Sequence, residues 1–379
     1  MTVYFDNAAT TQVCPEAIKA SVSAMGEFYG NPSSGYVLGR QASEKLSEAR
    51  ERVAGALGAE MEEVHFTSGG TEGDNWAVRS SMFLMRHKGR HIITTAYEHD
   101  AVRQTVKALE AAGAEVTWLF PESDGRVSAG AVKDALRDDT VFISVMLVNN
   151  ETGAINPIRE IANAIREQGS AAILHTDAVQ GFLKVPFTPK KLGADLVTIS
   201  SHKIHGPKGA GALYIRKGLR LPPMITGGGQ ESGLRPGTEA MPALLGFGAA
   251  AAAGRALMKE SIETMGSVRE YTEALLQAAL PDCRILCEGG APHILSISLP
   301  GWRSEVLMNY LDAAGICVSK SSACKKGARS HVLETIKLPA DVIDGAIRVS
   351  FSRYNTLQEA EYFIKTLTEA TERLKAAKR

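Results

Sequence analysis

Cysteine is scarce in this chain, and the few present do not pair off. Five cysteines, at positions 14, 283, 287, 317 and 324, are scattered over 379 residues, an odd set that does not suit a disulfide framework. Cys283 and Cys287 have no further Cys/His pair at zinc spacing behind them, so no metal site is predicted. An excess of one charge is missing too: 42 Lys and Arg balance 42 Asp and Glu, and no basic face is offered to nucleic acid or to an anionic membrane. Long apolar runs are lacking, since a stretch such as Val141 to Val148 falls well short of a membrane span. The opening MTVYFDNAATT has no basic-then-apolar pattern of a signal peptide, so a cytoplasmic location is expected. Internal repeats and low-complexity tails are likewise absent.

The length suits a large domain plus a smaller one. Pro15 opens a weakly amphipathic helix to about Phe28, GNPSS at 30–34 reads as a turn, and Ala42, Leu46, Ala49, Val53 and Leu57 give one apolar stripe to a helix over 39–57. A β/α alternation follows. Strands are predicted at 64–67, 91–95, 115–120, 141–148, 171–175 and 196–200, with helices from about Thr71 and over 100–111, 129–136 and 158–168. That alternation argues for an α/β fold, a mostly parallel sheet covered by helices. The alanine-rich stretch 241–280 is predicted as long helix leading out of the large domain. Beyond it come strands at 294–299, 316–319 and 346–350 and helices at 304–314 and 356–375, a smaller α+β domain. Residues 1–15 are assigned to an N-terminal segment packing with the small domain, 16–255 to the large domain and 256–379 to the small one.

The stretch ADLVTISSHKIHGPKG, 194–209, organises the rest. Its β-branched run is a buried strand, and Gly206, Pro207 and Gly209 force a tight loop after it. Lys203 is thereby held at a strand end between His202 and His205, beside Ser200 and Ser201. A lone lysine after a strand is ordinarily a solvated charge, but a desolvated one can form a Schiff base. Upstream, AAILHTD at 171–177 is another apolar run that ends in Asp177, with Gln180 three residues on. A lysine and an acid on neighbouring strand ends fit the two anchors that pyridoxal phosphate needs, one for its aldehyde and one for its pyridinium nitrogen. Without Lys203, Asp177 would read as a turn cap.

Other stretches bear on the same chemistry. TSGGTEGDN, 67–75, sets Gly69, Gly70 and Thr71 between strand and helix, where free N–H groups and the helix dipole favour a phosphate; it is equally a plain glycine turn. The stretch has no P-loop lysine. His99, in YEHD, stands at a strand end, where a histidine is often just a hydrogen-bonded polar residue. Cys324 lies in SKSSACKKGARSHVLE, a polar loop in which Lys325, Lys326 and Arg329 favour the thiolate; the competing reading is an incidental exposed thiol. The segment GGGQESGLRPGTEA from Gly227 is too polar for core and too particular for a linker.

Taken together and in order, TSGGTEGDN, YEHDA, HTDAVQ, SSHKIHGPKG and SSAC resemble the cysteine desulfurases, pyridoxal-phosphate enzymes of the class V aminotransferase family with the aspartate-aminotransferase-like fold. The resemblance runs from FDNAATT to the C-terminal helix. It implies removal of sulfur from L-cysteine to give L-alanine. Lys203 would bind the cofactor covalently, His99 would stack on its ring and move protons, and Cys324 would attack the substrate sulfur and carry it as a persulfide on a swinging loop. Gly70, Thr71, Ser200 and His202 would hold the phosphate, with Thr238 reaching in from the partner of a homodimer. Asp177 would face the pyridine nitrogen, Gln180 the phenolic oxygen, and Asn150 would lie near cofactor and substrate. Arg348, with Asn31 as helper and Arg353 as second choice, would fork onto the substrate carboxylate. A sulfur-acceptor protein is implied as partner, an iron–sulfur scaffold or a tRNA-thiolating enzyme, with no direct contact to nucleic acid or membrane. The chain departs from many relatives in having Lys325 and Lys326 after the cysteine and Tyr36 after GNPSS. A transaminase or β-eliminating enzyme of the same fold, indifferent to Cys324, and a non-enzymatic binding scaffold remain as alternatives.

Overall fold

The computed structural model describes residues 2–320 and 329–374. Its centre is a sheet of seven strands, in spatial order Val64–Thr67, Gly211–Ile215, Leu196–Ser200, Ile173–Asp177, Thr140–Ser144, His91–Thr95 and Glu115–Leu119. Only Gly211–Ile215 runs against its neighbours; the remaining pairs are parallel. Apart from the edge strand Glu115–Leu119, each is buried along its whole length, as the near-continuous β-branched and apolar runs require when both faces are covered. Adjacent residues point to opposite faces. Ile92, Phe142, Ile173 and Leu196 pack with helices Gly70–Met85 and Asp100–Ala111 on one side, while Ile93, Ile143, Leu174 and Val197 join the core under helices Val37–Leu57, Ile158–Glu167 and Met241–Ala256 on the other.

A second sheet of four antiparallel strands, ordered Ser319–Lys320, Ala346–Ser350, Ile294–Ser298 and Arg284–Ile285, is backed by helices Met258–Ala279, Ser304–Ala313 and Leu357–Arg373 around a separate core. The N-terminal strand Val3–Tyr4 pairs in parallel with Ile316–Cys317, and Val3 and Phe5 are buried in that same core.

Several sequence expectations need correction. The strand predicted over 141–148 ends at Ser144: Val145 and Leu147 still donate to His175 O and Asp177 O, at 3.2 and 2.9 Å, but on the other side Met146 donates to the Glu98 carboxylate at 2.8 Å instead of to a neighbouring strand. The stretch 241–280 is two helices, Met241–Ala256 and Met258–Ala279, bent by 74° about Leu257. The strand 316–319 divides into two short pieces in different sheets. Strand Gly211–Ile215 was not foreseen at all. No single helix among the described residues is long and apolar enough to cross a membrane.

Candidate active site

The carboxyl ends of the parallel strands meet on one side of the sheet, where open α/β folds place their ligands. A cleft of about 380 Å³ opens there, and Gly70, Thr71, His99, Asn150, Asp177, Gln180, Ser200, His202, Lys203 and Arg348 all line it. Lys203 and Asp177 therefore share one cavity.

Lys203 closes a single 3₁₀ turn that follows strand Leu196–Ser200 directly. The turn is pinned by the N-terminal segment: Thr11 N–H donates to His202 O at 3.0 Å, and His205 N–H donates to Thr11 Oγ1 at 2.8 Å. These contacts hold His205 at φ 66°, a left-handed conformation costly for a residue with a Cβ. Lys203 Nζ donates to the carbonyls of Ala8 at 2.5 Å and Ala9 at 2.6 Å. Burial, then the Arg348 charge, bring its amine down to about 8, with Asp6 and Asp177 opposing.

Asp177 is the last residue of its strand and accepts the Val179 N–H at 2.9 Å. Burial raises its pKa, while His99, that N–H and Lys203 pull it back. A second carboxylate, Asp74, stands on helix Gly70–Met85 and also faces the cleft. It is 1% exposed, its Oδ1 has no hydrogen-bond partner among the described residues, and burial together with Asp177 drives it well above the usual carboxylate range. The pair thus divides its labour: Asp74 keeps its proton and Asp177, with more cationic company, gives its proton up first. One atom each from Asp74, Asp177 and His99 lie within 4.8 Å of one another. That trio could by geometry converge on a cation, a grouping that the zinc-spacing argument did not anticipate.

His99 caps helix Asp100–Ala111, its Nδ1 accepting the Ala101 N–H at 3.1 Å. That bond assigns the ring proton to Nε2, leaving Nε2 as the nitrogen free to exchange it. His202 is neutral: burial and the nearby lysines lower it to about 4. At the helix end, a Cβ on Gly70 would come to 2.9 Å from Val179 Cγ2, so glycine lets the helix start lie this close to Val179 beside the cleft. Ser200 Oγ, buried and without a partner among the described residues, faces the same cleft. A 16-residue helix start and an orphaned hydroxyl form a cradle that fits a phosphate.

At the opposite wall Arg348, 3% exposed, donates from Nη1 to Asn150 O and from Nη2 to Asp6 Oδ1, both at 2.8 Å, while its Nε has no partner among the described residues. Gln180 is held between Ala8 O, at 2.9 Å, and His293, at 3.3 Å.

Among the described residues, three predicted ones, Asn31, Thr238 and Arg353, do not line this cleft. Asn31 is exposed, and its Oδ1 accepts the Ser33 N–H at 2.9 Å within its own turn; this asparagine serves the loop and does not help Arg348 in the chain. Thr238 is exposed and away from the cavity of its own chain. Cys324, with Lys325 and Lys326, lies outside the described residues. Arg353 lines a different, smaller cavity. Conversely, Asp6, Ala8, Ala9, Asp74, Glu151 and His331 belong to the cleft or its supports and were not singled out. A signal existed for Asp74: it is a carboxylate among Gly73, Trp76, Ala77 and Val78 on a buried helix face.

Comparison with known proteins agrees with this geometry. The family profile described as Aminotransferase class-V matches residues 3–363. A protein of Nostoc sp. named cysteine desulfurase is 40% identical over 378 residues, spanning 99% of this chain and 94% of its own. Cysteine desulfurase IscS of Methanosarcina thermophila is 41% identical over 381 residues, spanning 98% and 93%. Among solved structures, one described as a NifS-like protein superposes with a TM-score of 0.93 at 36% identity, covering 99% of this chain and 100% of that one. SspA in complex with cysteine superposes at 0.81 with 31% identity, covering 94% and 100%. On sequence, fold and the placing of these side chains, the chain belongs to the class V aminotransferase family, among its cysteine desulfurases.

Proposed function

We propose that the protein removes sulfur from L-cysteine with pyridoxal 5′-phosphate, releasing L-alanine and handing the sulfur to an acceptor protein. The reading rests on one observation: Lys203 and Asp177 line a single cleft, with the Gly70–Thr71 helix start and Arg348 on its walls. Lys203 would take the cofactor aldehyde, Asp177 the pyridine nitrogen, Gln180 the phenolic oxygen, and Gly70, Thr71, Ser200 and His202 the phosphate. Once bound, the cofactor supplies an electron sink that makes the Cα proton of cysteine labile.

The chain's own residues then have distinct tasks. Arg348 binds the substrate carboxylate, its fork shared with Asp6. Lys203, with its amine near 8, can hold or release a proton close to neutrality. His99 exchanges a proton at Nε2. Burial and Asp177 hold Asp74 well above the usual carboxylate range, so Asp177 is the carboxyl of the pair that gives up its proton first. The Cys324 thiolate attacks the substrate Sγ; the S–S bond forms as the Cβ–Sγ bond breaks, and the carbon left behind gains a proton to become the methyl of alanine. The persulfide so formed passes to an iron–sulfur scaffold or a tRNA-thiolating enzyme in the cytoplasm. Two chains act as a homodimer, each Thr238 completing the other's phosphate site.

Mass mapping of the cofactor-loaded protein after exposure to cysteine tests this. One added sulfur atom on Cys324 is the result expected, and Cys324→Ala should lose sulfide release. Alanine and sulfide formed at the parental rate by Cys324→Ala, or a stable amino form of the cofactor without any persulfide, would overturn it in favour of β-elimination or transamination.

A further inference from the structure

A second cavity, of about 30 Å³, shares Lys203 with the active cleft and shares Ser261 and Arg353 with a groove on the outer surface. Its wall carries Lys184, Lys203 and Arg353, with no aspartate or glutamate among the described residues. Lys184 Nζ, Ser261 Oγ and Arg353 Nε are all buried atoms without a hydrogen-bond partner among the described residues. Lys184 is 6% exposed and Ser261 7%. The preceding Leu183 is held at φ 59°, a left-handed conformation unfavourable for a leucine, so the backbone that delivers Lys184 is strained into place.

Buried donors are rarely left without acceptors, and a buried ammonium without a counter-charge is costly. Lys203 brings no acceptor, since its amine is already spent on Ala8 and Ala9; it adds only more positive charge. Burial first, then Lys203 and Arg348, lower the Lys184 amine to about 7. What is missing is therefore an acceptor with negative charge. A space of this size takes one or two water-sized spheres, too little for sulfate, phosphate or a carboxylate ligand. We propose that this cavity is a binding site for a small monovalent anion of halide size, held by Lys184 Nζ, Ser261 Oγ and Arg353 Nε at the rear of Lys203. The anion neutralises part of the charge that Lys184 and Arg353 accumulate there. Arg353 thereby has a task separate from that of Arg348.

Crystals of the pyridoxal-phosphate-loaded protein grown with bromide in place of chloride, measured at the bromine absorption edge, should show an anomalous peak in this cavity within hydrogen-bond distance of Lys184 Nζ. Water density or an empty cavity there overturns the proposal. In solution, thermal denaturation in bromide or chloride is compared with gluconate, which is too large to enter, at equal ionic strength. The wild-type Tm should rise in halide, by linkage to binding, and Lys184→Met should lose that rise. An equal halide effect in both overturns the proposal. Should Lys184→Met not fold, Ser261→Ala replaces it, with a reduced halide effect supporting the site and an unchanged one refuting it. None of these readings depends on desulfurase activity.

Discussion

Lys203 keeps its amine against two main-chain carbonyls, in a setting that favours the neutral form. Covalent capture of the cofactor aldehyde needs that neutral amine. Its rate in apo-protein should therefore rise with pH through about 8 and level off above, well before the ordinary lysine value. Stopped-flow absorbance across a pH series measures this, and a rise that continues to pH 10 would contradict it. The two carboxylates beneath it should respond differently to neutralisation. Asp74→Asn replaces a group that already carries its proton, so cofactor retention and kcat should change little. Asp177→Asn removes a charge in use and should cost roughly 10²-fold or more in kcat, the scale of a lost electrostatic contact to a reacting group. Steady-state kinetics on both variants separates them. Arg348→Lys keeps the charge and loses the fork; KM for cysteine should rise about 10- to 100-fold, corresponding to about 1.5–3 kcal/mol for a hydrogen bond to a charged group.

Among the elements, those with a strong local period were legible in the sequence. Strands Ile173–Asp177 and Leu196–Ser200 are uninterrupted buried runs, and the residues at their carboxyl ends could be named before their neighbours were known. Strand Gly211–Ile215 was not legible because it starts Gly-Ala just after the turn GPKG, and only pairing with strands on both sides makes it a strand. The bend at Leu257 was hidden for a related reason. Gly254 lies in the last turn before it, but one glycine in an alanine-rich run does not fix a bend, and its direction is set by packing: the first helix lies against Pro15–Gly26 and Val37–Leu57, the second against Leu357–Arg373. At the site, Asp6 and Asp74 escaped notice because their importance comes from Arg348 and Asp177, which are remote in sequence. Gly211 illustrates how an unforeseen element bears on function. A Cβ there would fall 2.8 Å from the Gly69 backbone and 2.8 Å from Ile199 O, atoms that can yield only by moving the phosphate turn. Gly211→Ala should cost about 1–3 kcal/mol, the usual scale of overpacking, and weaken cofactor binding as well; urea melts and cofactor titration measure the two effects.

Over the whole molecule, the active cleft draws on residues far apart in the chain. Phe5 is buried beside Phe351 and Phe363, with ring centroids at 5.3 and 5.9 Å, and it anchors the segment whose Asp6, Ala8 and Ala9 reach Arg348 and Lys203. Phe5→Ala and Phe363→Ala should each lose about 3–5 kcal/mol of stability. Only Phe5→Ala should also weaken cofactor retention under conditions where both variants stay folded. Equilibrium dialysis at low denaturant distinguishes the two, and equal retention would show that the N-terminal segment needs no such anchor.

The pairing of Val3–Tyr4 with Ile316–Cys317 bears on how the enzyme comes into being on the ribosome. Strand Val3–Tyr4 must wait, unmated, for more than three hundred later residues before its partner leaves the exit tunnel. Such remote pairing slows folding. Lys203 emerges long before Arg348 and before the strand that fixes Ala8 and Ala9 in place. A growing polypeptide thus has Lys203 ahead of the walls that will enclose it, and the cleft can close only once Ile316–Cys317 and Arg348 have followed.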